Sequence, residues 1–99
     1  LMKPRLAACC YNFGMNMGVG TMRKLAQAAV GTVVDGKWGP NTWKAFYEAD
    51  DAASALKMCR FARERYERIA LSNPTQKKFL RGWLNRVREL ETLIKAWSE

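Results

Sequence analysis

Apolar side chains recur at three- and four-residue intervals along most of the chain, the repeat of helices that bury one face. Leu6, Cys9 or Cys10, Phe13 and Met17 mark the first such stripe, over Leu6 to Met17. Pro4 suits a first helical turn, where a missing N–H loses nothing, so Leu1 to Arg5 is an entry segment. Gly14 interrupts the stripe, and its conformational cost points to close backbone packing there. Gly18-Val19-Gly20 ends this helix. Thr21 is the expected N-cap of a short helix, Met22 to Val30, with Met22, Leu25, Ala26 and Ala29 inward and Gly31 as its stop.

The helical repeat lapses between Val33 and Trp43, a run holding two glycines, a proline and two tryptophans. Asp35-Gly36 is a turn pair, because glycine accepts positive φ and aspartate bonds the backbone just ahead of it. Gly39-Pro40 predicts a helix entry, and Pro40 to Ala49 presents Trp43, Phe46 and Tyr47. Asp50 or Asp51 caps a long helix running to about Ser72, with Leu56, Cys59, Ala62, Tyr66, Ile69 and Ala70 as its stripe. The opposite face carries Lys57, Arg60, Glu64 and Arg68. There Arg60–Glu64 and Glu64–Arg68 are i,i+4 pairs worth ~0.3 kcal/mol each, so it reads as solvated.

Asn73-Pro74-Thr75-Gln76 restarts the helix: a capping residue, proline at the first position, and glutamine three residues after the cap. The last helix extends from Pro74 to about Trp97, with Phe79, Trp83, Val87, Leu90, Ile94 and Trp97 on its apolar face. Gly82 beside Trp83 predicts a second close backbone approach. Two helices of this length, ~35 Å at 1.5 Å per residue, joined by a short link, form an antiparallel hairpin. Val33-Val34 is the only extended stretch. The expected fold is therefore all-α: short helices around a turn, followed by a long two-helix hairpin.

Composition narrows the function. Ninety-nine residues suit one domain, residues 1–99, and a hydrophobic share of 48% argues against disorder. No apolar run reaches the roughly 20 residues of a membrane span, and no secretory signal is visible. The net charge of +8, from 17 Lys and Arg against 9 Asp and Glu, favours a polyanionic partner such as nucleic acid, anionic lipid or cell-wall polymer. A solvated, soluble surface is the other reading of that charge. Cys9, Cys10 and Cys59 have neither disulfide-framework nor zinc spacing and read as buried free thiols. With no histidine, Ser-His-Asp and Cys-His machinery and most catalytic zinc sites are excluded. No metal or cofactor is expected.

Hydrolysis would then rest on carboxylates, one of them held protonated. Glu64, Glu67, Glu89 and Glu91 lie among Lys and Arg, which lowers a carboxylate pKa. Asp35 alone neighbours a plausible pocket, so no catalytic residue is assigned. Basic residues spread over both long helices rather than gathering on one recognition helix, which disfavours nucleic acid. Glycan binding is the third reading. Aromatic faces stack on sugar rings, and Asp35, Asn41 and Thr42 supply polar contacts beside Trp38, Trp43 and Tyr47. Trp43, one turn from Phe46 and Tyr47, is the expected core anchor, leaving Trp38 as the ligand-facing indole.

Four stretches carry a family resemblance. Val34-Asp35-Gly36-Lys37-Trp38-Gly39-Pro40-Asn41-Thr42 resembles the D-G-x-x-G-P-x-T signature of peptidoglycan-binding domains. Tyr11 to Gly18 is similar to an F-D-x-x-V-N-x-G stretch, Leu25 to Gly31 to an L-Q-x-A-x-G helix, and Phe79 to Arg86 to an F-L-x-G-W-x-N-R ending. In this order they resemble the C-terminal half of secretion-activator-type (family 108) glycoside hydrolases, lysozyme-like muramidases of bacteria and phages. The resemblance implies a peptidoglycan partner and an upstream catalytic domain in the same parent chain. It also implies a place at the bacterial cell wall or periplasm, or export as a phage endolysin. The family's catalytic glutamate lies in an E-G-G motif that this chain lacks, and a start at Leu1 fits a C-terminal piece of a longer protein. By the same resemblance Asn16 lines the substrate cleft, while Trp83, Asn85 and Arg86 hold helices together. Gly36, Gly39 and Pro40 shape the turn.

Overall fold

The computed structural model describes residues 2–97; Leu1, at the head of the expected entry segment, lies outside them. Five α-helices follow in order: α1 Pro4–Met17, α2 Val19–Val30, α3 Pro40–Glu48, α4 Asp51–Ser72 and α5 Lys77–Ala96. The described residues contain no strand, and Val33-Val34 stays unpaired. Pro74–Gln76 forms a 3-10 turn before α5, so the last helix begins three residues later than expected. Asn73 still caps that restart, its side chain accepting from the N–H of Thr75.

α4 is the central helix, packing against α1, α2 and α5. Its buried residues are small as often as large: Ser54, Ala55, Met58, Cys59, Ala62, Tyr66 and Ala70. Small side chains let two neighbouring helices come close on one side while α5 covers the other. Leu56 and Ile69, expected in the core, are only partly covered. Phe13, Phe46, Leu6, Met58, Ile94 and Val87 are the largest fully buried apolar side chains. Tyr66 stacks on Trp83 at 4.9 Å, and Arg63 Nη1 bridges both Glu91 oxygens at 2.9 and 3.0 Å, fastening α5 to α4. Phe79, at 47% exposure, lies outside the core.

The two adjacent aspartates divide the capping work. Asp50 accepts from Ala53 N–H at 2.8 Å and caps its own helix. Asp51 instead caps α1 from across the fold, accepting the backbone N–H groups of Arg5 at 3.0 Å and Leu6 at 2.9 Å. Arg5 adds its guanidinium to Asp51 at 3.2 Å and donates to the Trp97 carbonyl at 2.8 Å. Because Pro4 has no N–H and Lys3 offers no side-chain cap, this long-range carboxylate supplies what the local sequence omits.

Three local expectations change. Gly18, at φ 92°, is both the end of α1 and the N-cap of α2, and Met22 N–H bonds its carbonyl at 3.1 Å. Positive φ at one glycine turns the chain, so the link is one residue long and Thr21 lies inside the first turn rather than capping it. Gly14 faces the side chain of Met22, whose Cε lies 3.5 Å from where a Cβ would stand, and no backbone crosses there. Gly82 is exposed with nothing close to it, and nothing in the structure explains it. Gly31, at φ 79°, stops α2 as expected.

Candidate ligand-binding sites

The turn between α2 and α3 is built around Gln27, a fully buried side chain on α2. Its Oε1 accepts the N–H groups of Asp35 at 3.1 Å and Gly36 at 2.8 Å. Its Nε2 reaches Asp35 Oδ1 at 2.9 Å, the Lys37 carbonyl at 3.0 Å and Thr42 Oγ1 at 3.2 Å. Only an amide offers an acceptor and two donors in one plane; a glutamate here could not donate. Asp35 Oδ1 also takes the Lys37 N–H at 2.9 Å, closing the turn locally. That bond, reinforced by the Gln27 amide, holds the Asp35 carboxyl below its ordinary 3.8. Gly36, at φ 76°, supplies the left-handed backbone the turn requires.

This network uses much of the chemistry assigned to the ligand. Thr42 is buried, with its hydroxyl shared between Gln27 and the Lys37 carbonyl. Asp35 and Thr42 do border a cavity of about 330 Å³, together with Thr32, Lys37 and Asn41. Among these, the exposed Asn41 side chain and the Lys37 ammonium carry no hydrogen bond among the described residues. Gly39 and Pro40 form the wall and start α3 as expected.

The two indoles exchange their expected places. Trp38 is half-buried against the core: its Nε1 donates to the Arg23 carbonyl at 3.3 Å, and its ring meets Phe46 edge-on at 4.8 Å. It does not border the cavity. Trp43, expected as the core anchor, is 42% exposed, and Phe46, at 1%, anchors α3 instead. Three positions apart on the helix, the two rings meet edge-on at 5.5 Å, with Phe46 in the core and Trp43 at its rim. Trp43 and the exposed Tyr47, four residues apart, therefore share an accessible face of α3.

Asn16 lies elsewhere, near the end of α1. Its Oδ1 accepts from Arg86 Nη1 at 2.6 Å, and its Nδ2 donates to the Asn12 carbonyl at 3.0 Å. These residues border a separate cavity of about 350 Å³ with Glu89 and Leu93. Arg86 on α5 thus reaches α1, through an amide oxygen 70 residues away in sequence. Trp83 reaches α4 by stacking on Tyr66. Asn85 is exposed and forms no hydrogen bond among the described residues. Gln27, part of the Leu25 to Gly31 stretch but assigned no site role there, carries a visible signal: it is the one large polar side chain among the buried residues of α2, between Ala26 and Ala29.

No described helix is long and apolar enough to cross a membrane, and the described residues hold no cluster of three potential metal ligands. No curated protein and no solved structure matches the chain. A family model described as a predicted peptidoglycan domain matches residues 21–88, from the first turn of α2 through the braced turn and deep into α5. That span covers more than half of the sequence, and the chain belongs to the predicted peptidoglycan domain family.

Proposed function

We propose that this chain is the wall-retaining module of a lysozyme-like muramidase, holding the hydrolase on peptidoglycan while an upstream catalytic domain cuts the glycan. The family match over residues 21–88 carries this reading, since it spans the turn and the Trp83–Arg86 segment together. The net charge of +8 supports it, because wall polymers are anionic. The contacts are proposed at two places. One is the turn cavity, through Asn41 with Asp35 and Thr42 fixing its shape and Trp43 beside it. The other is the Asn16 cavity. No catalytic glutamate is assigned, and the place of action is the cell wall, reached from a bacterial or phage-encoded parent.

Purified protein should pellet with insoluble peptidoglycan at moderate salt. Failure to pellet with the helices intact overturns the proposal. A scaffold role, completing the hydrolase without touching glycan, is favoured by one observation: Tyr11 and Met15 lie exposed four residues apart on α1. Wall pull-down that survives deletion of this region from the parent protein would support the scaffold instead.

A further inference from the structure

The cavity at Asn16 does not end there. Asn16 also borders a second cavity of about 260 Å³, lined by the stacked pair Tyr66 and Trp83 and by Arg65. Arg65 in turn borders a third, of about 440 Å³, with Thr21, Lys24 and Arg68. Asn16 lines the first two cavities and Arg65 the last two, so the three follow one another as an interrupted groove from α5, past the α1–α2 junction, to α2 and α4.

Charge along this groove is one-sided. Arg65, Arg68 and Lys24 form no salt bridge and no hydrogen bond among the described residues. The expected Glu64–Arg68 pair is not made, Glu64 lying instead 3.9 Å from Arg60. No carboxylate borders the second or third cavity. Glu89 is the only one on the first, at the opposite end. The Tyr66 hydroxyl senses the field: burial raises its pKa, and the Arg86 and Arg65 guanidiniums pull it back down. Cations along a concave wall repel one another, and an anion seated among them relieves that repulsion. Two guanidiniums also suit carboxylates better than a point charge does, because each offers a planar pair of donors.

We propose that this groove binds the stem peptides of peptidoglycan through their carboxylates, with Arg65 and Arg68 as the paired donors and Lys24 as a third charge. The proposal rests on the wall-retaining reading and names which chemical group of the wall is held. Asn16 and Arg86 lie at the polar entrance, and the Tyr66–Trp83 face receives the apolar side of the peptide. The one-residue turn at Gly18 creates the site, because it brings the first turn of α2 directly alongside α4.

The test is co-sedimentation with peptidoglycan stripped of teichoic acid, so that phosphate is removed as a source of charge. Three proteins are compared: the wild type, R65Q/R68Q, and the charge-keeping R65K/R68K. The wild type should pellet, R65Q/R68Q should bind about tenfold more weakly or worse, and R65K/R68K should recover part of the loss. Amidating the wall carboxylates should weaken the wild type to the level of R65Q/R68Q and change R65Q/R68Q little. A wild type that pellets together with an undiminished R65Q/R68Q overturns the groove and leaves wall retention standing. A wild type that fails to pellet removes both, and duplex DNA shifted by the wild type but not by R65Q/R68Q would then assign the groove to nucleic acid.

Discussion

The turn around Gln27 and the groove across the α1–α2 junction treat polar side chains in opposite ways. In the turn, one buried amide makes five contacts and leaves the aspartate, the threonine and two backbone N–H groups partnered within the chain. In the groove, Arg65, Arg68 and Lys24 line adjoining cavities without a carboxylate beside them. A dense sequence motif thus marks the place where the chain braces itself. The place prepared for a partner is assembled from residues that are unremarkable in sequence. Satisfied groups fix shape; unsatisfied ones are free to bind.

The comparison breaks most visibly at Gln27. Gln27→Ala removes five contacts at once, one of them to the buried Thr42, and empties a fully buried site, and should cost about 3 kcal/mol. For a domain of this size that lowers the melting temperature by roughly 12 °C or more, read by circular dichroism. A Gln27→Ala protein that melts like the wild type would show that the turn holds without its brace. Trp38→Ala should come next, at about 2 kcal/mol, because the indole packs on Phe46 and bonds the Arg23 carbonyl. Trp43→Ala should cost no more than about 1 kcal/mol, its ring being more open to solvent. Urea unfolding of the two variants side by side decides which indole is structural. The reverse order would restore Trp43 as the anchor.

Smaller effects sharpen the contrast. R65Q/R68Q should change unfolding free energy by less than about 0.5 kcal/mol, since neither guanidinium is paired. Asp35 gives a pH signature. Its carboxyl titrates lower in the folded chain than its ordinary 3.8, so the stability it contributes is complete above about pH 4 and is lost as pH falls through the folded value. Asp35→Asn should therefore show a shallower loss of stability between pH 4 and pH 2 in thermal melts. An unchanged acid limb would mean that the Lys37 and Gln27 bonds do not favour the charged form.

Much of the fold could be read directly. Helical spacing located all five helices, and Gly31, Asp50 and Asn73 marked ends that depend only on neighbours in sequence. Other features depend on residues far apart. Asp51 caps a helix that starts 47 residues earlier. The α1–α2 link shortened to Gly18, because a Gly-Val-Gly run reads as a loop until packing shows that a single positive φ suffices. The core face of α4 shifted to Ala55 and Met58, since alanine carries little weight in a hydrophobic pattern yet is what lets helices approach. The candidate site was legible only as its two halves. Asn16 and the turn residues were visible as motifs, but their separation was not. Nor was the alignment of Arg65 and Arg68 with Lys24, which no spacing in one helix encodes.

The most direct test is to watch where a wall fragment lands. Titrating the isotopically labelled protein with a soluble muropeptide bearing free carboxylates should shift the amide resonances of Asn16, Gly20, Thr21 and Arg65, and leave Lys57, eight residues before Arg65 on α4, in place. Shifts confined to Lys37 through Asn41, with the groove silent, would contradict the account and return the binding site to the turn.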